Sequence, residues 1–175
     1  MRKIKLVALY MCMSCALLIV GVRCGVSYSF TGGSIPEGMK TINIQYFENI
    51  APFVSPTLSQ NFTEGLKERI RNQSRLSQVS SGGDAIFEGF ITDYTISPVA
   101  IEAGNERAAM SRLTVTIKVK YTNNLKTDDS FEQSFTRFKD FSTTSSPFDA
   151  QQDRLNADII VMLTEDIYNR AFANW

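Results

Sequence analysis

The clearest hydrophobic pattern lies in "SRLTVTIKVKYTN", residues 111–123. Leu113, Val115, Ile117, Val119 and Tyr121 take every second position, with Arg112, Thr114, Thr116, Lys118 and Lys120 between them. A period of two predicts a strand with one buried and one open face. "MKTINIQYF" (39–47) alternates in the same way. It sets Ile42, Ile44 and Tyr46 against Thr41, Asn43 and Gln45. "AIFEGFITDYTIS" (85–97) has apolar residues at both parities, with Ile86, Phe90, Tyr94 and Ile96 on one and Phe87 and Ile91 on the other. That is the reading of a strand covered on both sides. Gly89 within it allows a bulge or a close backbone approach. "SFEQSFTRFKDFS" (130–142) follows the polar "NNLKTDD" and is expected to form a hairpin with 111–123. Phe131, Phe135 and Phe141 share a parity that Phe138 breaks. A bulge or an aromatic residue on the open face would each account for it.

Two segments follow a helical period. Leu58, Phe62, Leu66 and Ile70 recur every four residues after Ser55-Pro56, which reads as a capping hydroxyl and a first-turn proline. Leu76 extends the stripe, and Lys67, Arg69, Arg71 and Arg75 load its C-terminal half, where cations complement the helix dipole. Near the C-terminus, Leu155, Ile159, Leu163, Ile167 and Ala171 form a stripe widened by Ile160, Met162, Tyr168 and Phe172. Asp149 with Gln152 three residues later resembles a capping box. A stripe this wide predicts a helix buried against a sheet. The resulting order is β-α-β-β-β-α. Two helices on one face of a mixed, mostly antiparallel four-stranded sheet would bury every stripe. The expected fold is therefore an α+β two-layer sandwich.

The first 38 residues behave differently. "MRKIK" is basic, and Leu6 to Val22 is apolar apart from Ser14. A cleaved secretory signal and an uncleaved anchor helix both fit that pattern. All three cysteines, Cys12, Cys15 and Cys24, lie in or beside this segment. Cys24-Gly25 suits acylation of the thiol and cleavage just before it. Arg23 stands where a small residue is preferred. Cys15 follows Ser14, but cleavage there would expose Ala16 to Val22. The preferred division is a lipoprotein signal peptide at 1–23, a lipidated tether at 24–38 rich in glycine, and one domain at 39–175. A lone thiol is a liability in an oxidising compartment, and acylation removes it.

Charge and composition then narrow the function. The chain carries 18 bases and 18 acids. Arg2, Lys3, Lys5 and Arg23 precede Cys24 and no acid does, so a chain starting at Cys24 has 18 less those four, 14 bases, against 18 acids. A mildly acidic domain has no global attraction for nucleic acid. There is no histidine, so a Ser-His-Asp or Cys-His site cannot be built from this chain alone. No pair of carboxylates suggests an enzyme, and Asp128-Asp129 lacks the ligand spacing of a calcium loop. Glu102, Glu106 and Arg107 lie in a loop long enough either to bind a partner or merely to connect strands. Arg112, Lys118 and Lys120, with Arg137 and Lys139 on the next strand, are the candidate anion-binding residues. A row of cations on an open sheet face can hold phosphates, and it can equally be a solvated face whose lysines discourage edge pairing. A small-ligand carrier with a pocket between helices and sheet is a separate possibility.

Beyond single residues, an ordered set of short motifs runs through the chain. It comprises Cys24-Gly25, "SFTG", the strand end "INIQYFENIAP", "LSQNFTEGLKERI" and "GFITDYTISP". In this order they resemble LptE, the lipopolysaccharide-assembly lipoprotein family, in its Bacteroidetes-like form, over residues 24–175. The resemblance implies a two-layer α/β lipoprotein of the outer membrane, held there by acyl chains on Cys24. It implies a place as a plug inside LptD, a large β-barrel, with help in barrel assembly and binding of lipopolysaccharide. It implies no enzyme activity, cofactor or metal. The family's lipopolysaccharide contacts do not align here, so the five cations stand on the residue reading alone.

Overall fold

The computed structural model describes residues 35–53, 55–99, 110–144 and 146–173. The predicted signal, Cys24, most of the tether and the loop holding Glu102, Glu106 and Arg107 lie outside them. Strands are β1 (Thr41–Ile44), β2 (Glu48–Asn49), β3 (Ser77–Gln78), β4 (Ala85–Pro98), β5 (Met110–Asn123) and β6 (Phe131–Ser142). Helices are α1 (Leu58–Gln73) and α2 (Phe148–Phe172). The fold is α+β with two helices packed on a mixed sheet, but the sheet has six strands rather than four. Its order is β3-β1-β4-β5-β6, with β2 also on β4. β1 runs parallel to β3 and β4, whereas β4-β5 and β5-β6 are antiparallel. Two further strands escaped the pattern because each has only two residues. Such a pair shows no alternation; its pairing comes from the neighbouring strand.

The expected strand 39–47 is interrupted, and the interruption changes which side chains are buried. Ile44 pairs with Phe87 and Glu48 with Phe90, so four steps on one strand match three on the other. One extra residue reverses the facing of everything that follows. Tyr46, expected inside, is 58% exposed, and Phe47 is completely buried. The Phe47 N–H is satisfied by Thr63 Oγ1 of α1 at 3.1 Å, and the ring meets Phe62 edge-on at 5.0 Å.

A second extra residue sits in β4. Ile91 pairs with Ile117, but Asp93 pairs with Thr116, leaving Thr92 between them. Ala85, Phe87 and Ile91 face the helices before this bulge, and Tyr94 does so after it. The two apolar parities of 85–97 therefore reflect a change of phase, not burial on both sides, and Phe90 is 45% exposed. Gly89 lies between the two irregularities. A Cβ there would run into the Lys118 carbonyl and come within 2.8 Å of the Phe47 ring, so glycine is required for close packing.

β5 follows its alternation fully, with Leu113, Val115, Ile117, Val119 and Tyr121 all buried. The β5-β6 register is unbroken from Met110–Ser142 to Tyr121–Phe131. Phe138 is thus an open-face aromatic residue, not the product of a bulge. The hairpin loop is braced by Asn123, whose Oδ1 accepts from the N–H groups of Leu125 and Lys126. Gly82 and Gly83, in the predicted "SSGGD" turn, adopt positive φ.

Both helical stripes are buried as expected, but neither expected cap forms. Thr57 is the residue before α1, and no side chain caps it. Ser55 is instead buried, its Oγ accepting from Asn156 Nδ2 at 3.3 Å. Asn156 Oδ1 accepts from the Tyr94 hydroxyl at 3.0 Å, and Gln152 donates to that hydroxyl at 3.2 Å. Gln152 and Ser55 thus serve a polar link between α2, the α1 lead-in and β4. α2 starts directly after Pro147 without a side-chain cap. At the other end of the core, Tyr121 packs against Phe87, Phe131 and Phe172. Its hydroxyl is buried without a partner among the described residues.

Two stability predictions follow from these contacts. Gly89→Ala forces β5 away from β4 or expels Phe47, and should cost at least ~2 kcal/mol in chemical denaturation. A change within ~0.5 kcal/mol, typical of an ordinary surface site, would contradict the close approach. Tyr121→Phe removes an unpaired buried hydroxyl and should be neutral or stabilising by about 1 kcal/mol. Burial holds the Tyr121 phenol neutral up to about 12, against an ordinary value of 10.0. The unfolded chain then loses this proton first, so stability falls as pH rises from the unfolded value toward the folded one. The slope from this group is about 1.4 kcal/mol per pH unit. Tyr121→Phe should remove its share of that alkaline loss, and an unchanged alkaline limb would contradict it.

Candidate functional site: the open face of the sheet

The helices cover one face of the sheet, and among the described residues no element packs on the other. Strand parity decides which candidate cations reach it. Arg112, Lys118 and Lys120 on β5 share the open face with Thr114 and Thr116. Arg137 and Lys139 do not join them. They have the parity of buried Phe135 and Phe141, and they reach the acids of α2 instead. Arg137 forms a bidentate pair with Asp166 at 2.5 and 2.6 Å, and Lys139 lies 3.3 Å from Asp158. The five residues therefore form two groups on opposite faces.

Every cation of the open-face group already has an acid. Arg112 holds Asp140 through two bonds of 2.7 and 3.0 Å. Lys118 reaches Glu132, and Lys120 reaches Glu88, each at 2.5 Å. Thr116 and Thr136 join their hydroxyls at 2.9 Å between these pairs. The register explains the ladder: Arg112 lies opposite Asp140, Lys120 lies opposite both Glu88 and Glu132, and Thr116 lies opposite Thr136. Opposite charges in directly facing positions are the favourable cross-strand arrangement. The hydrogen bond with Asp140 pushes the Arg112 guanidinium up and holds the Asp140 carboxyl down. The hydrogen bond from Lys118 likewise lowers Glu132, and the one to Glu88 raises Lys120. For the two carboxyls the contribution is present above their unfolded values and disappears as pH falls through the folded ones.

A groove of about 510 Å³ crosses this face. Its floor and one side carry Phe90, Lys118, Lys120 and Glu132, and the bulge after β1 raises Tyr46 and Glu48 as the other side. A smaller hollow of about 270 Å³ lies between α1 and α2. There Gly65 brings the helices together, and Arg69 donates to Thr164 Oγ1 and to the Val161 carbonyl. The space between helices and sheet, where a small-ligand pocket was one possibility, is filled by Phe47, Phe62, Phe87, Ile91 and Leu163. Among the described residues no group of three metal-ligating side chains converges, and no helix is long and apolar enough to cross a membrane. The sequence reading places Tyr46 on the buried side of its strand and does not single out Glu48. The only signal for them was the irregular stretch before Pro52, and the parity change hid its meaning.

A family model described as LptE, lipopolysaccharide-assembly, matches residues 39–171. No curated protein sequence matches the chain. Among solved structures, a minor lipoprotein from Acinetobacter baumannii shares 12% identity with a TM-score of 0.50. The alignment covers 75% of this chain and 91% of that one. A hypothetical protein from Chlamydia trachomatis shares 8% identity with a TM-score of 0.53, covering 78% of this chain and 99% of that one. At such identities the likeness is one of fold.

If carboxylates occupy the open-face lysines, removing them should create an anion-binding surface. Glu88→Gln with Glu132→Gln should make the full chain, in neutral detergent, elute from a heparin column at distinctly higher salt than the parent. Coincident elution would show that Lys118 and Lys120 are free to bind anions in the parent.

Proposed function

This chain belongs to the LptE family of lipopolysaccharide-assembly proteins, and from that we propose that it is the lipid-anchored, non-catalytic plug of an LptD-like β-barrel. The observation that carries this reading is the family match across 39–171, nearly the whole two-layer domain. In the proposal Cys24 bears the acyl chains, which contribute about 0.8 kcal/mol per buried methylene and hold the domain at the periplasmic side of the outer membrane. The glycine-rich tether gives it reach into the barrel. The lumen of a wide barrel is polar and hydrated. A sheet face of threonines and paired charges, with Tyr46, Phe90 and Phe138 among them, is predominantly polar and suits such surroundings. The domain assists barrel assembly and binds lipopolysaccharide in transit.

Arg112, Lys118 and Lys120 on the open face, and separately Arg137 and Lys139 on the helix side, are the proposed contacts for the phosphates of that glycolipid. Each must exchange a carboxylate for a phosphate, so binding is expected to be salt-sensitive and reversible rather than tight. Such exchange suits a protein that passes its cargo on.

Two measurements check the proposal. The mass of the mature N-terminus should correspond to an acylated Cys24, and Cys24→Ala should release the protein from outer-membrane fractions. A free thiol at position 24 in protein from its native host would remove the anchor. Full-length protein extracted from native membranes should co-purify with a single large β-barrel, and depletion should reduce lipopolysaccharide at the cell surface. A partner-free monomer together with undiminished surface lipopolysaccharide would overturn the reading.

A further inference from the structure

The open face carries one completed constellation and one incomplete copy of it. At one end, the Arg112 guanidinium lies 3.8 Å above the centre of the Phe138 ring while holding Asp140 in a bidentate pair. Ring, carboxylate and guanidinium form a closed set on this face. A planar guanidinium can satisfy both partners at once, through its edge to the carboxylate and its face to the ring.

At the other end the same two halves are present without the third. Glu48 of β2 lies opposite Phe90 of β4 in the parallel register. Tyr46 stands beside them on the rim of the 510 Å³ groove. Phe90 and Tyr46 are both largely exposed. The neighbouring lysines do not complete the set, because Lys120 is bound to Glu88 and Lys118 to Glu132. Glu48 has neither ion pair nor hydrogen bond from its side chain among the described residues. The groove therefore holds three carboxylates against two ammonium groups, and its one unmatched acid, Glu48, shares the lining with Tyr46 and Phe90.

We infer that this groove receives an arginine side chain carried on an extended segment of a partner protein, completing on Glu48, Phe90 and Tyr46 the arrangement that Arg112 completes on Asp140 and Phe138. Charge complementarity selects a cation, and the two exposed rings beside Glu48 favour one with a flat face. The groove extends from the β1–β2 bulge across β4 and β5 to Glu132 on β6, a width of three strand spacings or about 14 Å. That is more than one side chain needs, and it leaves room for the backbone on either side of the arginine. The assignment does not depend on the role in lipopolysaccharide assembly, and either can fail alone.

The test uses the full chain in neutral detergent micelles, titrated with the blocked peptide Ser-Thr-Arg-Thr-Ser and followed by NMR. Saturable shifts are expected at Gly89, Phe90 and Lys118. The arginine δ-methylene should move upfield and show contacts to the rings of Phe90 and Tyr46. The same peptide with citrulline in place of arginine should bind about tenfold more weakly, since it keeps the shape and loses the charge. Glu48→Gln is a change at an exposed position and should weaken the arginine peptide to a similar degree. Glucosamine supplies the comparison with a cationic sugar. Equal binding of arginine and citrulline peptides, shifts confined to other surfaces, no saturation up to about 10 mM peptide, or tighter binding of glucosamine than of the peptide would each overturn the assignment.

Discussion

The whole molecule depends on the approach of the Phe47 ring to Gly89. Two neighbouring strands each carry one surplus residue, on either side of this contact. The first turns Phe47 inward and Tyr46 outward. The second turns Tyr94 inward, where its hydroxyl meets Asn156 and Gln152 of α2. Because side chains alternate with a period of two, shifting either phase by one residue would exchange the two faces over the rest of the strand. The absence of a Cβ at position 89 is what allows β1–β2, β4 and β5 to close over that crossing. The division between a covered and an open face, and hence every statement about the functional surface, rests on this local packing.

That division separates two kinds of chemistry. On the covered side, aromatic and aliphatic side chains fill the interface, and the few buried polar groups are mostly linked to one another across elements. On the open side, facing strands neutralise each other's charges. A face with its cations already paired does not concentrate anions over long distances, and its ion pairs add little to folding stability. Its use is in exchange: a ligand or partner can replace one carboxylate or one cation without disturbing the core. For a member of a lipopolysaccharide-assembly family, weak and replaceable contacts are a workable design.

Much of this could be read from the residues. β5 and the two helical stripes are legible because each carries an uninterrupted period over three or more turns or pleats. The hairpin joining β5 to β6 followed from the polar loop between two such segments. Gly89 marks the close approach, but the positions of the bulges are not legible, since a single extra residue leaves no compositional mark and in 85–97 imitates two-sided burial. β2 and β3 were invisible for want of length. Ser55 and Asp149 have the right residue types for helix caps, but Ser55 is drawn into a buried hydrogen bond, and Asp149 falls inside the first turn of α2, which begins without a side-chain cap. The placement of Arg137 and Lys139 was available in principle. The parity that buries Phe135 and Phe141 assigns both to the helix side, and their partners Asp158 and Asp166 lie one helix away in sequence. The unmatched Glu48 could not be found before the phase of its strand was known.

The most direct test of this account is proton NMR of the unmodified full-length chain in neutral detergent. The phase crossing predicts cross-relaxation between the Phe47 ring and the Gly89 α-protons, with those α-protons displaced upfield by the ring, and no contact from the Tyr46 ring to any α1 side chain. Contacts from Tyr46 to Phe62 or Leu66, with Phe47 in water and unshifted Gly89 α-protons, would mean that 39–47 is one uninterrupted strand and that the two faces have been assigned the wrong way round.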